Sequence, residues 1–272
     1  MSPTVHREAS TWRERNLAKA SLRNLDLRGA DFTSSMLCGA DFGGSNLEAA
    51  IFAQSELGGA LLSACNLRHA KLEGANLTGA KLVRSVLAAA DFTGANLSLA
   101  LLLEAVLDEA NLTCASLTKC IASAARFNDA VLTGAELRMA DLSRCRFANA
   151  QLGTAVCERA GLTGCNMLGV SAIRANFDYA DFSGAVLYDC DFAHATFVGA
   201  VFEGAQAIDC NFESADFFWS DLQNLDARNC RFKEARLPQS VRLKFVPTGV
   251  AVPEVKRVAL YRRGLSSEEH PE

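Results

Sequence analysis

Hydrophobic and polar residues recur along this chain with a period of five. From Leu22 to Leu237, every fifth residue is Leu, Phe or Met, and the five exceptions are Ala122, Cys157, Ala172, Ala207 and Ala227. Two residues before each of these lies Ala, Ser or Cys, except at Leu25, Val170 and Leu225. A period of five matches neither the 3.6 of a helix nor the 2.0 of a strand. The pattern instead predicts a solenoid in which each five-residue unit forms one side of a coil.

Each unit has two positions that we expect to point inward. We call the Leu or Phe position the large slot and the Ala, Ser or Cys position the small slot. A large side chain next to a small one fills a narrow interior at the density of a native core. The other three positions are mostly polar and are predicted to point outward.

The units "ADFTG", "ANLSL", "ANLTG" and "ADFSG" resemble the A(D/N)LXX signature of the pentapeptide-repeat family. The resemblance implies an all-β fold, a right-handed quadrilateral parallel β-helix with four units per coil. About 11 such coils at a spacing of ~4.8 Å make a column roughly 50 Å long. Coils contact only their neighbours, so the ends require caps.

The period divides the chain into three parts. Residues 1–16 lack it and are predicted to be an N-terminal cap or tail, while residues 17–239 form the β-helix. Residues 240–272 are predicted to contain an edge strand and a short helix, acting as a cap or as a dimerisation element. No secretory signal or membrane span is recognisable, so we expect a cytoplasmic protein, with export independent of a signal peptide left open.

The sequence contains no recognisable catalytic motif, and we predict that the protein is not an enzyme. Outward residues on a regular column form flat or convex surfaces, whereas active sites are concave. Cys190, Cys210 and Cys230 fall in the small slot of successive coils and form a predicted ladder. A metal or redox site is one interpretation, but cysteine also serves as a small buried hydrophobe. We favour the second and predict no cofactor and no metal.

Charge is segregated along the predicted column. Residues 17–175 carry fourteen acids and fourteen bases, whereas residues 176–226 carry ten acids and no Lys or Arg. The ten are Asp178, Asp181, Asp189, Asp191, Glu203, Asp209, Glu213, Asp216, Asp221 and Asp226. They span roughly 12 Å, over which duplex DNA carries about seven charges. Ten bases follow between Ala227 and Glu272, so the basic tail could instead dock on the acidic coils.

Some pentapeptide-repeat proteins are regarded as DNA mimics that occupy the DNA-binding saddle of a type II topoisomerase such as gyrase. The resemblance therefore implies a protein partner of this kind, without direct binding of nucleic acid or membrane. The alternative is a protein-interaction scaffold, or a secretion-linked accessory protein, with no topoisomerase role.

Two groups of outward side chains are unusual for a soluble column. Val83, Leu101, Leu103 and Ile121 are predicted to form an apolar patch on one face, and Tyr179, Phe218 and Trp219 to form an aromatic patch. Contiguous apolar surface usually marks an interface. We therefore predict an interface, either with a protein partner or in a homodimer formed through the C-terminal tail or the apolar face.

Overall fold

The chain folds into a square column of stacked coils. The structure is a computed structural model and describes residues 12–238. Within this range there is no helix, and isolated parallel bridges join residues twenty positions apart, as in Leu101 with Ile121. Since four five-residue units make twenty residues, each coil has four sides. The fold is the predicted all-β, right-handed, four-sided parallel β-helix.

We number the four sides by the large-slot residues of one coil, Phe182, Leu187, Phe192 and Phe197 for sides 1 to 4. From Phe32 to Ala207 every large-slot residue is 0% exposed. Phenylalanines in successive coils stack on one another, as Phe182 does on Phe202 with ring centroids 4.8 Å apart. The large slots therefore form one continuous core along the axis.

A sharp turn separates successive sides. Every fifth residue from Glu14 to Glu234 has a φ between 52° and 73°, and most of these residues are not glycine. This conformation costs an L-residue about 1–2 kcal/mol. The N–H of the same residue donates to a carbonyl of the next coil, as from Lys119 to Arg138 at 2.8 Å. This hydrogen bond between coils holds non-glycine residues in the left-handed region.

Regular strands occur only on side 2 of the described column. They are β1 (Asn166–Leu168), β2 (Val186–Tyr188), β3 (Gln206–Ile208) and β4 (Asp226–Arg228), and they form one parallel sheet in that order. At the corner after side 2, the small slot holds Ala in each coil from Ala30 to Ala150. After the four strands it holds Val170, Cys190, Cys210 and Cys230. The larger side chains accompany the change from a closed turn to a more open bend.

The column begins earlier than the sequence pattern predicts. Trp12 fills a large slot and stacks on Phe32 at 5.8 Å, and Asn16 pairs with Met36. Residues 12–16 thus belong to the column rather than to a cap. The predicted strand and helix of residues 240–272 lie outside the described residues, as do residues 1–11 and 239. No helix in residues 12–238 is long and apolar enough to cross a membrane.

Candidate interaction surfaces

The ten acids of residues 176–226 are distributed over all four sides of the column. Their positions in the twenty-residue coil place three on side 1, three on side 2 and two on each of the others. Side 1 carries Asp181, Glu203 and Asp221; side 2 carries Asp189, Asp209 and Asp226; side 3 carries Asp191 and Glu213; side 4 carries Asp178 and Asp216. The negative charge therefore surrounds the column.

Five of these ten acids also accept hydrogen bonds from backbone N–H groups. Asp181, Asp191, Asp216 and Asp221 each accept a hydrogen bond from the backbone N–H two residues later, at 2.8–3.1 Å. Asp178 accepts one from the N–H of Val198 in the next coil, at 2.9 Å. The four contacts to the N–H two residues later are Asx turns, and they give a reason for Asp or Asn to recur directly before the large slot, as it does in many units although in fewer than half. Part of the acidic character is thus a requirement of the turns.

The electrostatics of Asp181 show the same double role. Partial burial raises the pKa of its carboxyl, but hydrogen bonds from Ser183 and Thr163 lower it by more, so the net pKa lies below the ordinary value. The carboxyl is therefore ionised at neutral pH. It contributes both a turn contact and a negative charge.

Bases of the last coil pair with three of the ten acids. Arg228 lies 3.0 Å from Asp226, Lys233 lies 3.3 Å from Glu213 and Arg236 lies 3.2 Å from Asp216. Within the described column, no ion pair is recorded for Asp189, Glu203 or Asp209, which are exposed. The start of the basic region thus folds onto the acidic coils.

The aromatic patch lies on side 4 and its following corner. Trp219 is 72% exposed and stacks on Phe218 at 4.5 Å, and the guanidinium of Arg236 covers Phe218 at 3.8 Å. The ring of Tyr179 lies against Gly199, where a Cβ would come within 2.7 Å of it. Glycine at position 199 therefore leaves the space that the tyrosine ring occupies.

This corner forms a longer ridge than the sequence analysis identified. Leu99, Met139, Tyr179 and Trp219 are exposed in every second coil of the same corner. Lys119, Arg159 and Gly199 occupy the coils between them. The guanidinium of Arg159 lies 5.5 Å from the centre of the Tyr179 ring.

The predicted apolar patch lies on side 1. Leu101 pairs with Ile121 in the next coil, and Ile121 is 41% exposed. Val83 and Leu103 occupy a parallel column two residues further along the chain. We call these four residues the apolar face.

Sequence reasoning missed a second apolar surface, on the outer side of β1–β4. Leu168, Val186 and Tyr188 are exposed there, and Ile208 lies in register with Tyr188. Leu168 in turn pairs with Tyr188. Comparing outward residues twenty positions apart on side 2 would have revealed this surface, because Leu168, Tyr188 and Ile208 share one column.

The cysteine ladder is buried, as the small slot predicts. Cys190, Cys210 and Cys230 are 1–5% exposed. The Cys230 thiol donates to the carbonyl of Ala207 at 3.2 Å. Among the residues that the structure describes, no group of three or more His, Cys, Asp or Glu side chains is arranged to hold a metal ion.

Comparison with protein families decides the identity of the repeat. The model for pentapeptide repeats matches in eight copies, within residues 16–54, 45–82, 60–98, 85–121, 110–149, 150–187 and 185–224. The chain belongs to the pentapeptide-repeat family. Pentapeptide repeats are structural repeats, and no catalytic family is indicated. A search of curated proteins found no match.

Solved pentapeptide-repeat structures are similar to the chain at low identity. HetL of Nostoc sp. strain PCC 7120, involved in heterocyst differentiation regulation, is 26% identical, with 86% of this chain and 94% of HetL covered and a TM-score of 0.28. QnrB1, a plasmid-mediated fluoroquinolone resistance protein, is 19% identical, with 80% and 93% covered and a TM-score of 0.23. At these values the similarity assigns no function.

Proposed function

We propose that this chain is a non-catalytic binding protein that acts through the outer surface of its β-helix, with the C-terminal coils as the binding region. The observation that carries the proposal is the ring of acids on all four sides of residues 176–226. Their number exceeds what the Asx turns require, because Asp189, Glu203 and Asp209 are exposed and neither cap a turn nor form a recorded ion pair within the described column.

The specific form of this function is a DNA mimic that modulates or protects a type II topoisomerase. Ten acids less the three in ion pairs leave seven that form no ion pair with any of residues 12–238. Duplex DNA carries about seven charges over the same length of roughly 12 Å. A negative column of this density is complementary to a basic, DNA-binding saddle.

The test is a gyrase supercoiling assay, with and without a gyrase poison, as the protein is titrated. We expect micromolar protein to change supercoiling or to relieve poisoning. The triple variant Asp189→Asn, Glu203→Gln and Asp209→Asn should weaken this effect about tenfold or more, because it removes unpaired charge and leaves the Asx turns intact.

The matched control is the triple variant Glu48→Gln, Glu109→Gln and Asp129→Asn. It removes the same charge from the N-terminal half, and Glu109 and Asp129 occupy the same turn position as Asp189 and Asp209. If the wild-type protein changes gyrase activity neither in the absence nor in the presence of a poison, the topoisomerase form is wrong. Equal loss in both triple variants would show that local acidity is not the recognised feature.

A protein-interaction scaffold is the second candidate, and the apolar outer surface of β1–β4 favours it. Such a contact should tolerate about 0.5 M salt, which screens exposed charges at distances beyond roughly 4 Å. A partner that stays bound at this salt, and is lost with Leu168→Ser and Tyr188→Ser but not with the acidic triple variant, would support the scaffold over the DNA mimic.

A further inference from the structure

The apolar face lies between a basic and an acidic residue. An antiparallel second copy would therefore place opposite charges against each other. On side 1, parallel bridges connect Lys81, Leu101, Ile121 and Asp141 in successive coils. The order along this column is therefore base, apolar, apolar, acid. A two-fold axis placed between Leu101 and Ile121 exchanges the two apolar residues and brings the base against the acid.

The neighbouring column permits close approach in the same arrangement. With the two columns antiparallel, Val83 lies opposite Ser143 and Leu103 lies opposite Ser123 of a second copy. Serine is small enough to leave room for the facing aliphatic side chain. Over these four central coils, both columns of side 1 are thus complementary to themselves in this register.

Other registers of the same face oppose charge to apolar surface. Moving the axis onto Leu101 sets Lys81 opposite Ile121, and Leu61 opposite Asp141. A parallel arrangement sets Lys81 opposite Val83. Burying an unpaired charge against an apolar side chain is costly, so the antiparallel register centred between Leu101 and Ile121 is favoured.

The two charged groups are available for such a contact. Lys81 is exposed, and no ion pair is recorded for it in residues 12–238. The Asp141 carboxyl accepts hydrogen bonds from Ser123 at 2.5 Å and from Ser143 at 2.7 Å. Its burial raises the pKa, yet these hydrogen bonds lower it by more, so the carboxyl is ionised at neutral pH.

We propose that two copies of this chain associate through side 1, antiparallel, with Lys81 of each copy opposite Asp141 of the other and the apolar faces between them. By the isologous symmetry of a two-fold dimer, the Lys81–Asp141 contact forms twice. The central patch lies close to the middle of the column, so almost all of side 1 overlaps.

The extent of the contact sets the expected affinity. Ten overlapping coils of ~4.8 Å and a side of about 10 Å give roughly 500 Å² per copy, below the ~800 Å² of a standard interface. Like charges also meet, Asp41 with Asp181 and Arg84 with Arg144. The repulsion between these like charges is reduced by ion pairs within each copy. Arg23 lies 2.9 Å from Asp41, and Arg84 lies 2.9 Å from Glu104. We expect a reversible dimer.

The test measures the mass of the full chain by sedimentation equilibrium from about 1 to 200 µM, a range chosen for a weak dimer. Lys81→Asp sets two carboxylates opposite each other, and Asp141→Lys sets two ammonium groups opposite each other. Each single variant should weaken dimerisation about tenfold or more, and the double variant should restore it. Lysine is compatible with the Asp141 position because Lys71 and Lys81 occupy the same position in other units.

The controls lie on the opposite side of the column. Lys71 and Asp91 pair in successive coils on side 3, at the position that Lys81 and Asp141 occupy on side 1. The Asp91 carboxyl accepts a hydrogen bond from the Thr93 hydroxyl, as the Asp141 carboxyl does from Ser143. Lys71→Asp and Asp91→Lys should leave the dimer unchanged. A monomer throughout the concentration range overturns the proposal, as does a dimer that Lys81→Asp does not weaken. Failure of a folded double variant to recover dimerisation overturns the register.

Discussion

The ten cysteines show how completely the repeat position determines the environment of a side chain. Cys38 and Cys114 are exposed at outward positions, and the other eight are buried. Burial raises the pKa of the Cys65 thiol to about 11 and that of Cys120 to about 12. Since the thiolate is the reactive form, Cys65 and Cys120 are protected twice, by inaccessibility and by protonation, and the other buried thiols are protected by inaccessibility.

We therefore expect two fast-reacting thiols in the native protein, measured with a chromogenic disulfide reagent at about pH 8, near the ordinary thiol pKa. All ten should react in denaturant. Within the ladder, Cys210 is 1% exposed and should stay unreactive. The variant Cys38→Ser with Cys114→Ser should lose the fast phase, and a fast phase that persists would contradict the assignment.

At the scale of the coil, stacked phenylalanines connect one unit to the next. Phe197 stacks between Phe177 at 5.3 Å and Phe217 at 4.8 Å on side 4. It also packs edge-on against Phe192 and Phe202. The same ring thus stabilises contacts within its coil and to both neighbouring coils.

Phe197→Ala should lower the free energy of unfolding by about 3–5 kcal/mol, because the vacated volume cannot be filled by rigid neighbouring rings. Phe197→Leu should cost clearly less, since Leu occupies the large slot in most units. Urea unfolding of the two variants beside the wild type gives the comparison. Equal losses would mean that ring stacking, rather than filled volume, holds these coils together.

The period predicts the direction of a side chain better than it predicts its contacts. It placed Phe217 inward and Trp219 outward correctly, because direction depends only on the position within a unit. It could not predict that Arg236 both pairs with Asp216 and covers Phe218, since these contacts depend on side-chain conformations twenty residues apart. The sequence pattern also did not predict that regular strands form only on side 2. These strands occur in the coils whose small slot after side 2 holds Val or Cys instead of Ala, and the period of five does not distinguish these residues.

For the molecule as a whole, burial falls toward both ends of the column. Leu22 and Leu27 are 7% and 6% exposed, whereas the large slots from Phe32 to Ala207 are fully buried. At the other end Leu222, Phe232 and Leu237 are only partly buried. An interior coil has neighbours on both sides, so its opening breaks two interfaces, whereas an end coil has one.

Hydrogen exchange of the full chain tests whether this gradient controls stability. The amides of Phe127 and Phe217 both donate to the next coil at 2.7 Å, to Arg146 and Arg236. The hydrogen-bond lengths are therefore matched while the positions along the column differ, and each measured rate is compared with the intrinsic rate for its own flanking residues. If opening spreads inward from the ends, Phe127 should exchange about tenfold or more slowly than Phe217. Equal rates would instead show that the column opens as one cooperative unit, or that residues beyond Pro238 stabilise the C-terminal coils.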